Sequence, residues 1–140
     1  MAHDIYQDFG HSIAQLYSSR RIFMRERLRD YGLIGAQHSL LIGIDRHPGA
    51  SQDFFADYLG LDKGTVARSA QRLEERGYIS REVPAENRRQ YMLFLTKDGE
   101  KALDVAWQAI NEWNTEITKR LSREEVVTVT ELIIRMNQQP

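Results

Sequence analysis

The segment from Leu61 to Gly77 constrains this chain more than any other, because it carries a helix start, a helix stop and two differently loaded faces. Asp62 is an N-cap residue whose carboxylate can accept a bond from a free backbone N–H of the first turn. Gly77 tolerates the left-handed conformation that ends helices. Val66, Ala70 and Leu73 recur at spacings of four and three and form an apolar stripe. Lys63, Thr65, Arg68, Ser69 and Arg72 read as lying largely off that stripe, with cations and hydroxyls and no bulky apolar group. Such a face fits a phosphate-lined groove and can reach base edges. It equally fits a solvated helix surface, and the flanking segments decide between the two.

Upstream, residues 36–46 read as a helix with Leu40, Leu41 and Ile44 as core candidates, ended by His47-Pro48-Gly49. Ser51 caps a short helix over residues 52–59, with Phe55 and either Tyr58 or Leu59 in the core, and Gly60 closes it. Only Gly60 to Asp62 then separate this helix from the next. Two short helices joined by a tight glycine-containing turn are the helix-turn-helix pattern, whose second helix enters the major groove by its N-terminal end. Downstream the period changes. Residues 78–83 and 90–96 read as strands around a polar turn, giving a hairpin with Arg88 and Arg89 near its tip. A hairpin after a recognition helix is a wing, and arginines there suit a minor-groove or phosphate contact.

Long helices frame this unit. Residues 4–30 carry Ile5, Phe9, Ile13, Leu16, Arg20 and Phe23 at helical spacing, with Tyr17 beside them. Arg20, Arg21, Arg25, Arg27 and Arg29 crowd the end of this helix, either as a solvated terminus or as phosphate contacts. Thr96 caps a helix over residues 97–120 with Leu103, Ala106, Trp107, Ile110, Trp113, Ile117 and Leu121 in its stripe. Ser122 to Glu125 is a capping box that opens a last helix bearing Val126, Val129, Ile133 and Met136. These stripes exceed what a small winged unit needs, so the helices at 4–30 and 97–138 are expected to pair with those of a second copy. A two-fold homodimer would set two recognition helices about one DNA turn apart. The expected architecture is one domain over residues 1–140. It is mainly α with a small β-hairpin wing: a winged helix-turn-helix lobe over residues 36–96, flanked by N- and C-terminal dimerisation helices.

The net charge of −1 argues against nucleic acid, but its distribution does not. Residues 62–97 hold eight Lys/Arg and five Asp/Glu, while the remainder is net acidic. A locally basic segment on a neutral-to-acidic body fits a DNA reader joined to something else. The absence of cysteine excludes disulfides and thiol redox sensing. No run approaches the ~18 apolar residues of a membrane span and no signal pattern opens the chain, so a cytoplasmic protein without membrane contact is expected. His3, His11, His38 and His47 include no His-x-x-x-His pair, so no metal is expected. With no phosphate-cradling loop and no nucleophile elbow, an enzyme or a bound cofactor has no support. The competing class is a winged-helix protein–protein interaction module without DNA readout. The face over residues 63–72 lacks the aromatic and Met anchors of protein interfaces, which favours DNA.

With these elements in this order, the chain resembles the MarR (multiple antibiotic resistance regulator) family of bacterial transcription factors. The shared motifs stand as Leu59-Gly60-Leu61, Leu73-Glu74-Glu75-Arg76-Gly77-Tyr78-Ile79, Arg81, Arg88-Arg89 and Leu95-Thr96-Lys97-Asp98-Gly99. The resemblance implies a homodimer that binds pseudo-palindromic operators, usually as a repressor, with Arg68 contacting bases. It implies base or phosphate contacts for Thr65 and Ser69 and a minor-groove contact for Arg89. It also implies release of DNA by a small aromatic or phenolic acid bound between the dimer helices and the winged lobe. Candidate pocket residues are His11, Tyr17, His38 and Trp107. Two positions depart from the pattern: Asn87 stands where the family has a wing-bracing Asp, with Glu86 as an alternative brace, and Gly35 stands where the second helix usually has a Ser or Thr cap.

Overall fold

The computed structural model describes residues 4–138. The chain runs α1 (Ile5–Leu28), a 3-10 turn (Arg29–Tyr31), α2 (Ala36–Arg46), α3 (Gln52–Leu59), α4 (Lys63–Glu75), β1 (Ile79–Glu82), β2 (Met92–Leu95), α5 (Lys97–Thr118) and α6 (Arg123–Asn137). It is a mainly α winged helix-turn-helix fold with one antiparallel hairpin.

The expected caps form. Asp62, Ser51, Thr96 and Ser122 each accept a bond from a backbone N–H of the helix they open. At Ser122 the capping box is reciprocal, with the Glu125 carboxylate accepting from the Ser122 N–H. Gly77 takes φ +76°, the left-handed turn that ends α4 and starts the wing. Gly35 gives α2 no side-chain cap, yet α2 still begins at Ala36.

The core centres on α2 and α4. Leu40, Leu41 and Ile44 meet Phe55, Val66, Ala70 and Leu73, with Ile79 and Leu93 from the hairpin and Met24, Leu28 and Leu33 from the end of α1 and the turn after it. Phe55 alone of α3's large side chains is fully buried; Tyr58, a core candidate by spacing, lies exposed, and Leu59 is half-buried. The hairpin is shorter than its sequence pattern, pairing Ile79 with Leu95 through Glu82 with Met92. Pro84 lacks an N–H for the ladder, and Asn87 draws the segment beyond it into a turn. The hairpin gains a third edge from the loop before α3, where Ser51 bridges Met92 and the Ala50 carbonyl accepts from the Leu93 N–H at 3.0 Å.

The reason for Gly99 in the Leu-Thr-x-x-Gly motif is steric. A Cβ there would stand 1.9 Å from the Tyr78 carbonyl oxygen. Thr96 adds two bonds at the same joint, its hydroxyl donating to the Gly77 carbonyl at 2.5 Å and its N–H to the Tyr78 carbonyl at 3.0 Å. α5 is thereby clamped to the start of the wing.

The N-terminal half of α1 and most of α6 bury nothing. Ile5, Phe9, Ile13 and Leu16 on α1 and Leu132, Ile133 and Met136 on α6 stay exposed, Ile5 by 72%. Among the described residues no helix is long and apolar enough to cross a membrane.

Candidate nucleic-acid interface

The first turn of α4 holds a chain of three side chains. Asp62 accepts from the Thr65 N–H with one carboxylate oxygen and from the Thr65 hydroxyl with the other, both at 2.7 Å. The Thr65 oxygen in turn accepts from Arg68 Nη2 at 3.3 Å. These bonds hold the Asp62 carboxyl below its usual pKa, the Thr65 hydroxyl first, then its N–H, with the Arg68 charge adding to them. Gly64 leaves the room Arg68 needs, since a Cβ there would lie 3.1 Å from Arg68 Nη1. Arg68 is thus oriented by neutral contacts, its charge unspent on any ion pair among the described residues.

Lys63 and Arg72 are exposed on the same helix. Lys63 reaches Asp53 of α3 at 3.4 Å, a solvent-open pair of little strength. Ser69 departs from expectation: it is only 5% exposed and packs with the stripe. The reason lies in its spacing, because residues 66, 69, 70 and 73 follow the i, i+3, i+4, i+7 rule of a buried face. The exposed rows carry Gln71 instead, whose amide donates to Glu75 at 3.2 Å.

Arg88 and Arg89 stand exposed at the wing tip. The brace for this turn is Asn87, whose side-chain oxygen accepts from the Arg89 N–H at 3.2 Å, not Glu86. At the wing's base, Arg81 does more than its sequence suggested. Its Nε and Nη2 donate to Glu74 Oε1 of α4 at 3.2 and 2.9 Å. Nη1 lies 3.5 Å from Gln52 of α3, and the guanidinium sits 4.5 Å from the centre of the Tyr91 ring. One side chain ties together the two helices of the motif and both arms of the wing.

A cavity of about 430 Å³ opens between the end of α1, the start of α2 and the helix-turn-helix. Tyr17, Arg20, Arg21, Arg25, His38 and Thr65 supply its main polar lining, and no carboxylate lines it. His38 is buried and its Nδ1 has no hydrogen-bond partner. Burial foremost, then the nearby Arg20 charge, pushes its pKa down, so it is neutral at pH 7. Of the four candidate pocket residues, only Tyr17 and His38 meet here. Trp107 faces a separate open groove with Phe23 and Arg27, under the Arg46 guanidinium. His11 is exposed near the free end of α1 and lines none of these hollows. Among the described residues no three His, Asp or Glu side chains converge as metal ligands, and His3 lies outside those residues.

The geometry has close counterparts. A model of the MarR family matches residues 31–90, the span from the start of the helix-turn-helix lobe to the wing. The HTH-type transcriptional regulator BilQ of Clostridium symbiosum (strain WAL-14163) is 31% identical over 104 residues, which cover 74% of this chain and 72% of that protein. A crystal structure of MarR is 32% identical and superposes with a TM-score of 0.87 over 92% of this chain and 88% of its own. The chain belongs to the MarR family. A MarR transcriptional regulator from Methanosarcina mazei Go1, 27% identical, superposes with a TM-score of 0.89 over 96% of both chains. The protein is therefore a DNA-binding transcription regulator, and its relatives are regulators and not enzymes. For this MarR-family chain the interaction-module alternative falls away. The long outer helices lie beyond the matched span, yet the whole-chain superpositions include them.

Proposed function

We propose that the protein is a homodimeric repressor of a pseudo-palindromic operator, with α4 of each protomer in a major groove and each wing in the adjoining minor groove. The observation that carries this reading is the Asp62–Thr65–Arg68 chain, which presents an unpaired guanidinium at the leading end of α4. Arg68 reads a base, guanine by preference, since its fork matches O6 and N7. Lys63, Thr65 and Arg72 position the helix on phosphates, and Arg88 and Arg89 work from the wing. Ser69 seats the helix rather than touching DNA.

The lobe over residues 36–96 is the reader, and residues 4–30 and 97–138 build the dimer within one domain over 1–140. Exposed apolar side chains on α1 and α6, together with a hollow lined by Phe9, Ile13, Leu16, Trp113, Ile133 and Met136, support a second copy as their cover. The protein acts in the cytoplasm, where its operator lies. A small aromatic or phenolic acid fits the cavity beside α4: arginines for its carboxylate, His38 Nδ1 for a hydroxyl.

The test is selection of duplexes from a random-sequence pool by the purified protein, followed by footprinting. A recovered site with two-fold symmetry and half-sites about one turn apart supports the reading. A single asymmetric site, or a monomer by sedimentation at micromolar concentration, sinks it. For the cavity, 4-hydroxybenzoate and salicylate should raise the melting temperature of the wild type and not of His38→Phe.

A further inference from the structure

The arginines that crowd the end of α1 divide into two groups. Arg20 lies over the Trp113 ring at 5.6 Å, and Arg27 is bound to Glu112 at 3.0 Å and lies over Phe23. These two serve the packing of α1 on α5. Arg21, Arg25 and Arg29 are exposed and make no ion pair or ring contact among the described residues. They recur every four residues, so they form one row along the helix, each about 6 Å further along the axis. Glu26 and Asp30 follow in sequence but lie about 100° further round, and neither pairs with the row.

The fold sets this row beside the reader. Arg21 and Arg25 line the same cavity as Leu61, in the turn before α4, and Thr65, in its first turn. The leading end of α4 enters a groove between two phosphate strands, and a cation standing beside that end faces one of them. We infer that Arg21 and Arg25 grip the operator's phosphate backbone from outside the winged lobe, so that α1 is part of the DNA interface as well as of the dimer. The inference rests on α4 being the element that enters the groove. Guanidiniums suit the task because their fork matches phosphate oxygens, and as backbone contacts they add affinity without reading sequence. Counting both protomers, the pair supplies four phosphate contacts.

The experiment is a salt series of binding to the duplex selected by the wild type, from 50 to 200 mM. Arg21→Ala/Arg25→Ala should flatten the slope of log K against log salt by about 3–4, since each contact contributes roughly 0.9. The affinity of the wild type should then fall about 100-fold more across the series than that of the double variant. The base preference recovered by selection should not change. Arg21→Lys/Arg25→Lys should keep most of the slope, and Arg120→Ala/Arg123→Ala, equal in charge but at the α5–α6 corner, should keep all of it. An unchanged slope in the alanine pair, as expected if these arginines serve only a ligand in the cavity, overturns the inference. So does an equal loss in the α5–α6 pair, which would make the effect one of net charge. If Arg68→Ala also leaves base preference intact, it is the docking of α4 that is wrong; if only the slope fails to move, it is the role of α1.

Discussion

Replacing Arg81 with Met keeps the length of the side chain and removes its charge, and so isolates what the guanidinium contributes. The Arg81 side chain is 18% exposed and that of Glu74 39%. The pair therefore sits between the surface case, worth about 0–1 kcal/mol, and the fully buried case, where loss of one partner costs about 3–5 kcal/mol. Solvent on the glutamate side places it nearer the first, at about 1–1.5 kcal/mol. The contact with the Tyr91 face adds roughly 0.5–1 kcal/mol. The 3.5 Å approach to Gln52 is too long to add much. The expected loss is about 2 kcal/mol, or roughly 5–8 °C in melting temperature for a chain of this size. Urea denaturation of wild type, Arg81→Met, Glu74→Gln and the double variant, at one protein concentration, measures it. The cycle should return a coupling of about 1 kcal/mol at pH 7. Glu74 has its folded pKa lowered, by the Arg81 hydrogen bond first and its charge next. Its contribution is thus complete above the unfolded carboxylate's pKa and disappears as pH falls through the folded one. The coupling should vanish in acid. A coupling near zero at pH 7, or one that survives below pH 3, would refute the account of Arg81 as a charged strut.

Further outcomes follow from the same geometry. Gly99→Ala forces a methyl against the Tyr78 carbonyl, and should cost about 1–3 kcal/mol in denaturation while leaving α5 helical by circular dichroism. Arg68→Ala should lose about 1–3 kcal/mol of binding and relax base preference at one position per half-site, read by selection from a random pool. Asn87→Ala removes the brace on the Arg89 N–H, and should weaken protection at the flanks of the footprint more than at its major-groove centre. His38 has its folded pKa lowered by burial, so the unfolded chain takes up its proton first as the solution is acidified. Wild-type stability should therefore fall more steeply than that of His38→Gln as pH drops from 7 towards 5, in parallel urea titrations.

The fold was legible where local chemistry and tertiary packing agree. Asp62, Ser51, Thr96 and Ser122 are caps whether or not the rest of the protein exists, and each sits at the helix start that its side chain alone predicts. Gly77 is likewise decided by its own backbone. What sequence could not decide is which half-apolar side chain wins a place in the core. Phe55 and Tyr58 lie three residues apart on a two-turn helix, too short for periodicity to fix the buried direction, and although both rings lie against Gly43 of α2, only Phe55 ends fully buried in the core. Ser69 differs for another reason: its polarity suits an exposed face, but its spacing from Val66 and Leu73 puts it inward.

The same contrast explains the two kinds of site. A reading face belongs to one helix, so its residues can be listed from one stretch of sequence once the helix is phased. A cavity belongs to the space between helices, and its members come from residues 17–25, 33–39 and 59–65, whose relative approach no local signal encodes. Trp107 and His11 suit a pocket by residue type, but Trp107 lines a separate groove with Phe23 and Arg27, and residue 11 lies beyond the stretch of α1 that lines the cavity. Arg81 shows the limit from the other side. As one letter in a motif it carries no visible role. Its function is to join α3, α4 and the wing, three elements whose meeting point exists only after folding. In this chain Arg68 and Arg89 are held by neighbours within six residues, which one stretch of sequence contains, while the joint that Arg81 makes between Gln52, Glu74 and Tyr91 spans segments distant in sequence.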